Sequence, residues 1–461
     1  MSGRRRAGRV ACLVLFSSAA CDSSAPHPPP RIASASVQSN AQNAISAMVA
    51  IEARDADSVR VLFRIAAAAA TADSATAAEV ARDVNTLAVL GLLPETPYVM
   101  RPVAYGRGGV TTGAPIPFIT GALPADLPRY VASGDDPSPG YVVFAAARYG
   151  LVIDNTGRVV WYRHFPDGLW LNFMPQRNDR YVARRVTPDK FDRESWVEVD
   201  ALGAVTRTFG CAMDLQPRFH DLIVDPDGGY WTLCDDVRLV DLSGHGGHAD
   251  AEVTGTAVQH IGSDGALLFH WTPFDHFNVA DVDSATRAEA RVNWTHGNAI
   301  DIDADGNLLV SFRNLNEITS IDTRSGAVRW RLGGARSQFT FGGDSGFAGQ
   351  HGVRALPADR IVLLDNIGAE ASRAEEWRVD RSTGTAMLIG SRSAVPAVRT
   401  LTGGSVQPLS QGRTLVSFGT EGRVEEYDAS GRVVWRMEGT PGYVFRAQRI
   451  PSLYHPGVGR R

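Results

Sequence analysis

A chain of 461 residues with 44% hydrophobic and 21% charged side chains is long enough for one large domain and a small one, and it can bury a core without covalent staples. Its formal charge is −4, and loss of an N-terminal segment carrying Arg4, Arg5, Arg6 and Arg9 lowers that by four, to −8. A surplus of that sign excludes nucleic acid and acidic membrane surfaces as general partners.

The chain begins with a targeting pattern. Residues 4–9 form a basic region, 10–16 a short apolar run, and Ser18-Ala-Ala-Cys21 a small-residue cleavage site. Small residues just before a cysteine resemble a bacterial lipoprotein signal over residues 1–21, with Cys21 as the lipidated new N-terminus. No other stretch approaches the roughly 18 apolar residues of a membrane span. The expectation is an exported lipoprotein of the periplasm or cell envelope that meets the membrane only through its anchor. Cys12 leaves with the signal. Cys211 and Cys234 remain in a compartment where disulfides persist, and a bridge and two buried thiols are both open readings.

Residues 22–32, rich in Ser and Pro, read as a flexible tether. Residues 33–120 read as a small β-sandwich: 59–65 alternates as a strand does, and the run from Leu90 to Tyr98 resembles the tyrosine corner of fibronectin-type domains. The alanine-rich run 66–81 fits a loop or an inserted helix. With no visible chemistry, this unit reads as a spacer or a homodimer contact. Residues 121–139, with several Pro, Gly and Asp, read as a linker.

From residue 140 one pattern recurs: an Asp- or Gly-marked turn, then a strand that often ends in Trp. The turn glycines are Gly157, Gly203, Gly265, Gly326, Gly384 and Gly431, at intervals of 46, 62, 61, 58 and 47 residues. Six turns near the ~40–50-residue spacing of propeller blades predict an all-β chain whose residues 140–450 form a six-bladed β-propeller, with 451–461 as a tail. Two stacked sandwiches, the alternative, would not need the turn to recur at one phase.

In a propeller the first strand of each blade lines the central channel. Residues 293–334 show how such a blade would present chemistry. A hairpin closing at Asp303 to Gly306 brings His296 and Arg313 opposite each other at its open end, an imidazole and a guanidinium suited to an anion. His220, His296 and His351 each open a blade at the same phase, in a chain with only 11 histidines. Leu171–Asn172 and Gly404–Ser405 hold the equivalent places elsewhere. The same reasoning puts Asp365 and Asn366 opposite His351 as tautomer-fixing groups. Asn298 would add a neutral donor if an irregular strand start lets it point inward.

As a set, these residues are similar to the bacterial aryl-sulfate sulfotransferases, which need no nucleotide donor. The matching elements are His220-Asp221, Trp294-x-His296-x-Asn298, Ser311-x-Arg313, Gln350-His351, Asp365-Asn366, Tyr443-x-Phe-Arg446, and Trp271 with Asp275-His276-Phe277; they run in order over about residues 140–450. The resemblance implies ping-pong transfer from an aryl sulfate donor to a phenolic acceptor through a sulfohistidine on His351. His220, His296 and Arg313 would bind the sulfuryl oxygens, Asn298 would position the group, and no cofactor takes part. A loose sulfuryl transfer needs mainly positioning and preorganised charge, with little call for a metal. Tyr141, Trp170 and Ser405 stand as channel-lining candidates by position alone.

Blander readings exist for most of these features. Asp301-x-Asp303-x-Asp305 looks like a calcium loop, but Phe312 stands where a ligand Glu belongs and a hairpin turn accounts for the run. Gly244-His-Gly-Gly-His248 reads as a solvated loop, His276 as support or packing, and the blade-ending Trp residues as core. Against the transferase stands a non-catalytic propeller that binds a sulfated or phenolic ligand or a partner protein. A lactone- or ester-type propeller hydrolase would want carboxylates holding a metal down the channel, which a His/Arg set does not supply.

Overall fold

The computed structural model describes residues 27–166, 169–186, 195–440 and 442–457, and the fold is all-β. The signal segment with Cys21 lies outside the described residues. Among those described, no helix is long and apolar enough to cross a membrane.

Two small sheets come first. One pairs Arg31–Ser39, Ala47–Arg54 and Asn85–Val89; the other is centred on Ser58–Ile65 and Pro97–Gly106. Ala47, Val49 and Ile51 alternate inward from the first sheet and meet Val59, Val61, Met100 and Ala104 of the second in one core. The Leu93 amide donates to the Tyr98 hydroxyl at 2.8 Å, the bond a tyrosine corner makes. The alanine-rich run is not an inserted helix: it makes one 3₁₀ turn at Ala70–Ala72 and two short strands, Ser74–Ala75 and Glu79–Val80, that pair with Ser58–Ile65.

Six antiparallel sheets of four strands each follow, and their order explains the recurring turn. Sheet two runs Leu169–Pro175, Tyr181–Val186, Trp196–Val199, Val205–Phe209. Sheet three has Gln216–Val224, Tyr230–Val240, Ala251–Ile261 and Leu267–Trp271, and sheet four Gly297–Ile302, Leu308–Phe312, Glu317–Ile321 and Val328–Gly333. Sheet five has His351–Leu356, Arg360–Asp365, Arg373–Asp380 and Thr385–Ser393; sheet six has Ser405–Pro408, Thr414–Ser417, Val424–Tyr427 and Val433–Thr440. Sheet one is assembled from both ends: Tyr141–Ala146, Tyr149–Ile153 and Val159–His164 are completed by Ala447–Ile450. All six turn glycines then fall between the third and fourth strands of their sheets, each at positive φ, from 63° to 89°. The Trp that follows the turn reaches the neighbouring sheet. Trp161 Nε1 donates to the Ala201 carbonyl in the turn of sheet two, and Trp435 Nε1 to the Asn155 carbonyl in the turn of sheet one, each at 2.9 Å. These indoles are core, as their pattern predicted.

Successive sheets pack through separate apolar clusters, three with four around Trp231, Trp271 and Phe312, four with five around Phe339 and Trp377. Each inner strand touches the inner strand of the next sheet, and Ser405–Pro408 of sheet six touches Ala447–Ile450 of sheet one, so the succession returns to its start. Among the described residues three further segments pair onto these sheets, Arg291–Asn293 alongside Ala251–Ile261 of sheet three being one. Thr340–Phe341 pairs beside sheet five, and Arg129–Gly134 beside sheet six, with Arg129 opposite Thr440 and Gly134 opposite Trp435. The span expected as a linker therefore contains a strand: the neighbouring edge offers unpaired backbone groups, which this segment satisfies despite its Pro/Gly-rich flanks.

The N-terminal unit is fastened to sheets one and two. Asn43 Nδ2 donates to the Tyr162 carbonyl at 3.0 Å, Asn40 Nδ2 to the Leu202 carbonyl at 2.8 Å, and the Leu90 amide to the Tyr454 hydroxyl at 3.1 Å. Ile45 lies in the core of sheets one and six, and Leu90 in that of sheets one and two. Leu90→Ala is expected to cost about 2–4 kcal/mol in denaturant titration, with one unfolding transition for both units. Two separated transitions would show that the N-terminal unit is held only by its chain connection.

Candidate active site

The inner strands are irregular where they begin. Register slips fall between Trp170 and Asn172 in sheet two, Pro217 and Leu222 in sheet three, Gly297 and Ala299 in sheet four, and His351 and Arg354 in sheet five. An extra residue in one strand releases local pairing and re-aims side chains. Here it turns His220, Asn298 and the surroundings of His351 out of strict alternation.

His351 is buried, with two acceptors at the same ring nitrogen. Nδ1 faces Asn366 Oδ1 at 2.8 Å and the Gly349 carbonyl at 3.0 Å. Asn366 Nδ2 donates to the Thr400 and Gly403 carbonyls at 3.1 and 3.0 Å, which fixes the amide with its oxygen toward the imidazole. Nδ1 therefore carries the hydrogen, and Nε2 holds a lone pair. Gly352, at φ +68°, lies so close to sheet six that a Cβ would stand 3.1 Å from the Gly404 carbonyl oxygen and 3.3 Å from Ser405 Cα. No side chain fits there without moving the strand that His351 begins.

His296, just before the strand Gly297–Ile302, adopts φ +47°, a left-handed conformation that costs a residue other than glycine about 1–3 kcal/mol. Its neighbours hold it there. The Thr256 amide donates to Thr295 Oγ1 and the Gly297 amide to Thr256 Oγ1, both at 2.8 Å, while the Arg313 amide donates to the His296 carbonyl at 3.1 Å. In this pose His296 Nε2 is 3.2 Å from His220 Nε2, and Nδ1 is 2.8 Å from Asn293 Nδ2. His220 is held by its own carbonyl, which accepts from Asn172 Nδ2 at 2.8 Å. The disulfide Cys211–Cys234, with Cα atoms 6.2 Å apart, binds the approach to this strand onto its partner. That resolves the two open readings of these cysteines in favour of the bridge.

Arg313 joins the same region. It donates from one nitrogen to Asn314 Oδ1 at 3.0 Å and from another to the Leu401 carbonyl at 3.2 Å, and its Nε is buried without a partner. Its guanidinium lies against Gly349, whose carbonyl serves His351. Asn298 Nδ2 donates to the Gln350 carbonyl at 2.6 Å, so its buried, unpartnered atom is the acceptor Oδ1. Asp365 does not reach His351. Its Oδ1 accepts from the Ala348 and Gly368 amides at 3.0 and 2.7 Å, because alternation along the strand sends residues 365 and 366 to opposite sides. Of these two side chains, Asn366 reaches the imidazole, where it shares Nδ1 with the Gly349 carbonyl.

Burial sets the charge state. His351 is lowered to about 4, chiefly by desolvation and further by Arg313, against the opposing effect of the Asn366 bond. His220 and His296 are pushed well below the ordinary range, first by burial and then by surrounding cations, Arg218 among them. Three neutral imidazoles and a guanidinium bring donors, a lone pair and positive charge into one region.

Residues 206–440 match the arylsulfotransferase (ASST) family profile. The chain belongs to the arylsulfotransferase family. A search of curated proteins returns no match. Among solved structures, a protein of unknown function from Bacteroides caccae aligns at 12% identity and TM-score 0.44, covering 67% of this chain and 98% of its own. Virginiamycin B lyase from Staphylococcus aureus aligns at 11% and 0.36, covering 67% and 88%. For this arylsulfotransferase, family membership supports a sulfotransferase role in general terms, with aryl sulfates and phenols as the substrate classes the family implies.

The residue that in-phase counting missed is Arg446. Because Ala447–Ile450 is the inner strand of sheet one, the position that opens this sheet is residue 446, not Tyr141. Tyr141 pairs with Ile450, at the far end of that strand. Ser405 is a structural tie, its Oγ donating to the Ala447 carbonyl at 3.2 Å. The Trp170 side chain lies outside the described residues. Phe445, like Arg446 quoted in the sequence only within the family motif and given no role there, has its ring centroid 6.3 Å from that of His351 and 5.9 Å from that of His220. Asp303 Oδ1 accepts from the Asp305 and Asn307 amides, as a hairpin turn requires. His245 and His248 are exposed on their loop, and His276 stacks on Trp271 at 5.1 Å.

Histidine-selective ¹⁵N NMR should find His351 neutral, with hydrogen on Nδ1, down to pH about 4. All three pKa values are lowered in the folded state, so the unfolded chain binds more protons below about pH 6.5 and stability falls as pH drops through that range. Thermal unfolding at pH 7 and pH 5 reads this. An unchanged midpoint, or His351 titrating near 6.5, would contradict the burial argument.

Proposed function

We propose that the six sheets are the blades of a six-bladed β-propeller, preceded by a fibronectin-like sandwich, and that the protein moves a sulfuryl group from an aryl sulfate to a phenol. The observation that carries the reading is the unprotonated Nε2 of His351, held in place through Nδ1 beside the Arg313 cation. A neutral, buried imidazole with a fixed lone pair is a competent nucleophile at ordinary pH.

In the first half-reaction the Nε2 lone pair attacks sulfur in line with the ester bond. The N–S bond forms as the S–O bond breaks, and the electron pair leaves on the aryl oxygen. Sulfohistidine 351 remains, with hydrogen still on Nδ1. Arg313 offsets charge on the equatorial sulfuryl oxygens, a form of stabilisation that needs no reorganisation at the moment of transfer. The phenolate leaves as an anion and takes its proton from solvent, while the neutral His220–His296 pair can hydrogen-bond to that oxygen and, in the second half-reaction, take the proton of the acceptor phenol and pass it to solvent. The phenol oxygen then attacks sulfur, the N–S bond breaks, and its pair returns to Nε2. Asn298 Oδ1 offers an acceptor that could position a phenolic hydroxyl. Because donor and acceptor occupy the place beside His351 in turn, one pocket serves both.

We also propose that the protein is exported and anchored through Cys21. The basic and apolar run before that cysteine supports this, and so does a disulfide in the folded body, which persists in oxidising compartments.

Purified protein given 4-nitrophenyl sulfate should release 4-nitrophenol, faster with excess phenol than without. His351→Asn is expected to lower the rate by about 10³-fold or more. Arg313→Lys should lose about 10²-fold, because an ammonium lacks the planar fork. Saturable binding of the aryl sulfate with no turnover would instead mark a binding module, and full activity in His351→Asn would move the nucleophile elsewhere.

A further inference from the structure

Asp221 is the acid next to His220, buried to 1% exposure. Each of its oxygens is used twice. Oδ1 accepts from Arg446 at 2.8 Å and from the Leu222 amide at 3.1 Å; Oδ2 accepts from Arg354 at 3.0 Å and from the Ile300 amide at 3.1 Å. One carboxylate thus joins the inner strands of sheets three, four and five to the arginine that opens sheet one, reaching across the axis rather than around it.

The two arginines outnumber the one acid, so this trio keeps a net positive charge that is largely buried. On one side, Arg446 and Arg354 line a cavity of about 1040 Å³ that extends along the opposite end of the inner strands, past Val224, Asp303 and Leu356. None of His220, His296, His351 and Arg313 lines that cavity. On the other side, the Arg446 guanidinium lies over the Phe445 ring at 5.8 Å, the ring that also meets His220 and His351. Arg446 therefore stands between the histidine cluster and the cavity, with its Nε buried and unpartnered.

We infer that Asp221 is a positioning residue that holds Arg446 across the axis as the cationic floor of the histidine cluster, closing it from the cavity and keeping a positive charge next to His351 during sulfuryl transfer. The role rests on the sulfotransferase reading, but its electrostatic half does not need turnover to be seen. Among the described residues, Arg313 of sheet four and Arg446 of sheet one act on His351, as do His220 of sheet three and His296 of sheet four, which Arg218 in turn affects; Asp221 of sheet three and Arg354 of sheet five join through Arg446. Asp221 stays ionised: burial opposes this, but Arg354 and Arg446 prevail. Arg446 in turn helps depress both His351 and His220.

The test titrates His351 by ¹⁵N NMR and assays 4-nitrophenyl sulfate turnover in the full-length protein with Arg446→Met, Arg446→Lys and Asp221→Asn. Arg446→Met removes the cation and should raise the His351 pKa by about half a unit or more, with kcat falling about tenfold and KM little changed. Asp221→Asn leaves both arginines uncompensated and should move the pKa down, in the opposite sense. Arg446→Lys keeps the charge and should titrate like the wild type while recovering part of kcat. A folded Arg446→Met whose His351 titrates as in the wild type would overturn the inference, whatever its activity. If Arg446→Met does not fold, equal His351 pKa values in Arg446→Lys, Asp221→Asn and the wild type would overturn it, and a downward shift confined to Asp221→Asn would support it. A wild type that titrates as described but turns nothing over would count against the sulfotransferase reading and leave the floor intact.

Discussion

The pairing of Ala447–Ile450 with Tyr141–Phe144 is the constraint on which the site depends. Until the last strand returns to the first sheet, sheets one and six have no common wall and residue 446 has no address. Side chains reinforce the closure: Gln407 Nε2 donates to the Arg449 carbonyl at 3.1 Å while the Arg449 amide donates to Gln407 Oε1 at 2.7 Å, a two-way amide lock between sheets six and one. Contacts separated by some 300 residues are costly in loop entropy, so this closure must be repaid by the cores it completes. Those cores lie on both flanks of sheet one.

The histidines are held by irregularity that regular sheet then stabilises. An imidazole on an undisturbed strand would follow the pleat and point between sheets. Bulges in the inner strands of sheets three to five, a left-handed His296 and the side-chain-free approach at Gly352 aim these rings away from that pattern. The outer strands show the reverse, with regular pairing and large buried indoles. Rigidity at the rim lets the centre keep a strained geometry, and desolvation at the centre keeps the rings neutral.

Much of this was legible in the sequence because it was written in turn chemistry. An Asp followed by a left-handed Gly is a local requirement, so six such turns mark six hairpins whatever surrounds them. The phase of His220, His296 and His351 could be read by counting back from hairpins, and the structure brings the first two within hydrogen-bond distance. Counting failed where the information is not local. Nothing near residue 446 says that its strand belongs to a sheet begun three hundred residues earlier. The choice between Asp365 and Asn366 depends on which face of a strand is turned inward, and a one-residue ambiguity decides it. The strand at Arg129–Gly134 was hidden by its Pro/Gly-rich flanks, since an edge strand is chosen by its partner's open hydrogen bonds more than by its own composition.

That edge strand also fixes how force would travel through the molecule. A pull on the N-terminal side of the chain meets the Asn40, Asn43 and Leu90 contacts and then the ladder from Arg129 to Gly134, with Asp135 and Asp136 clasped by Arg432 and Arg413 just beyond it. Load is shared among many weak bonds in parallel before it reaches Tyr141 and the strand that shelters Arg446. Load applied from that side would be met at the periphery before it reached the inner strands and their histidines.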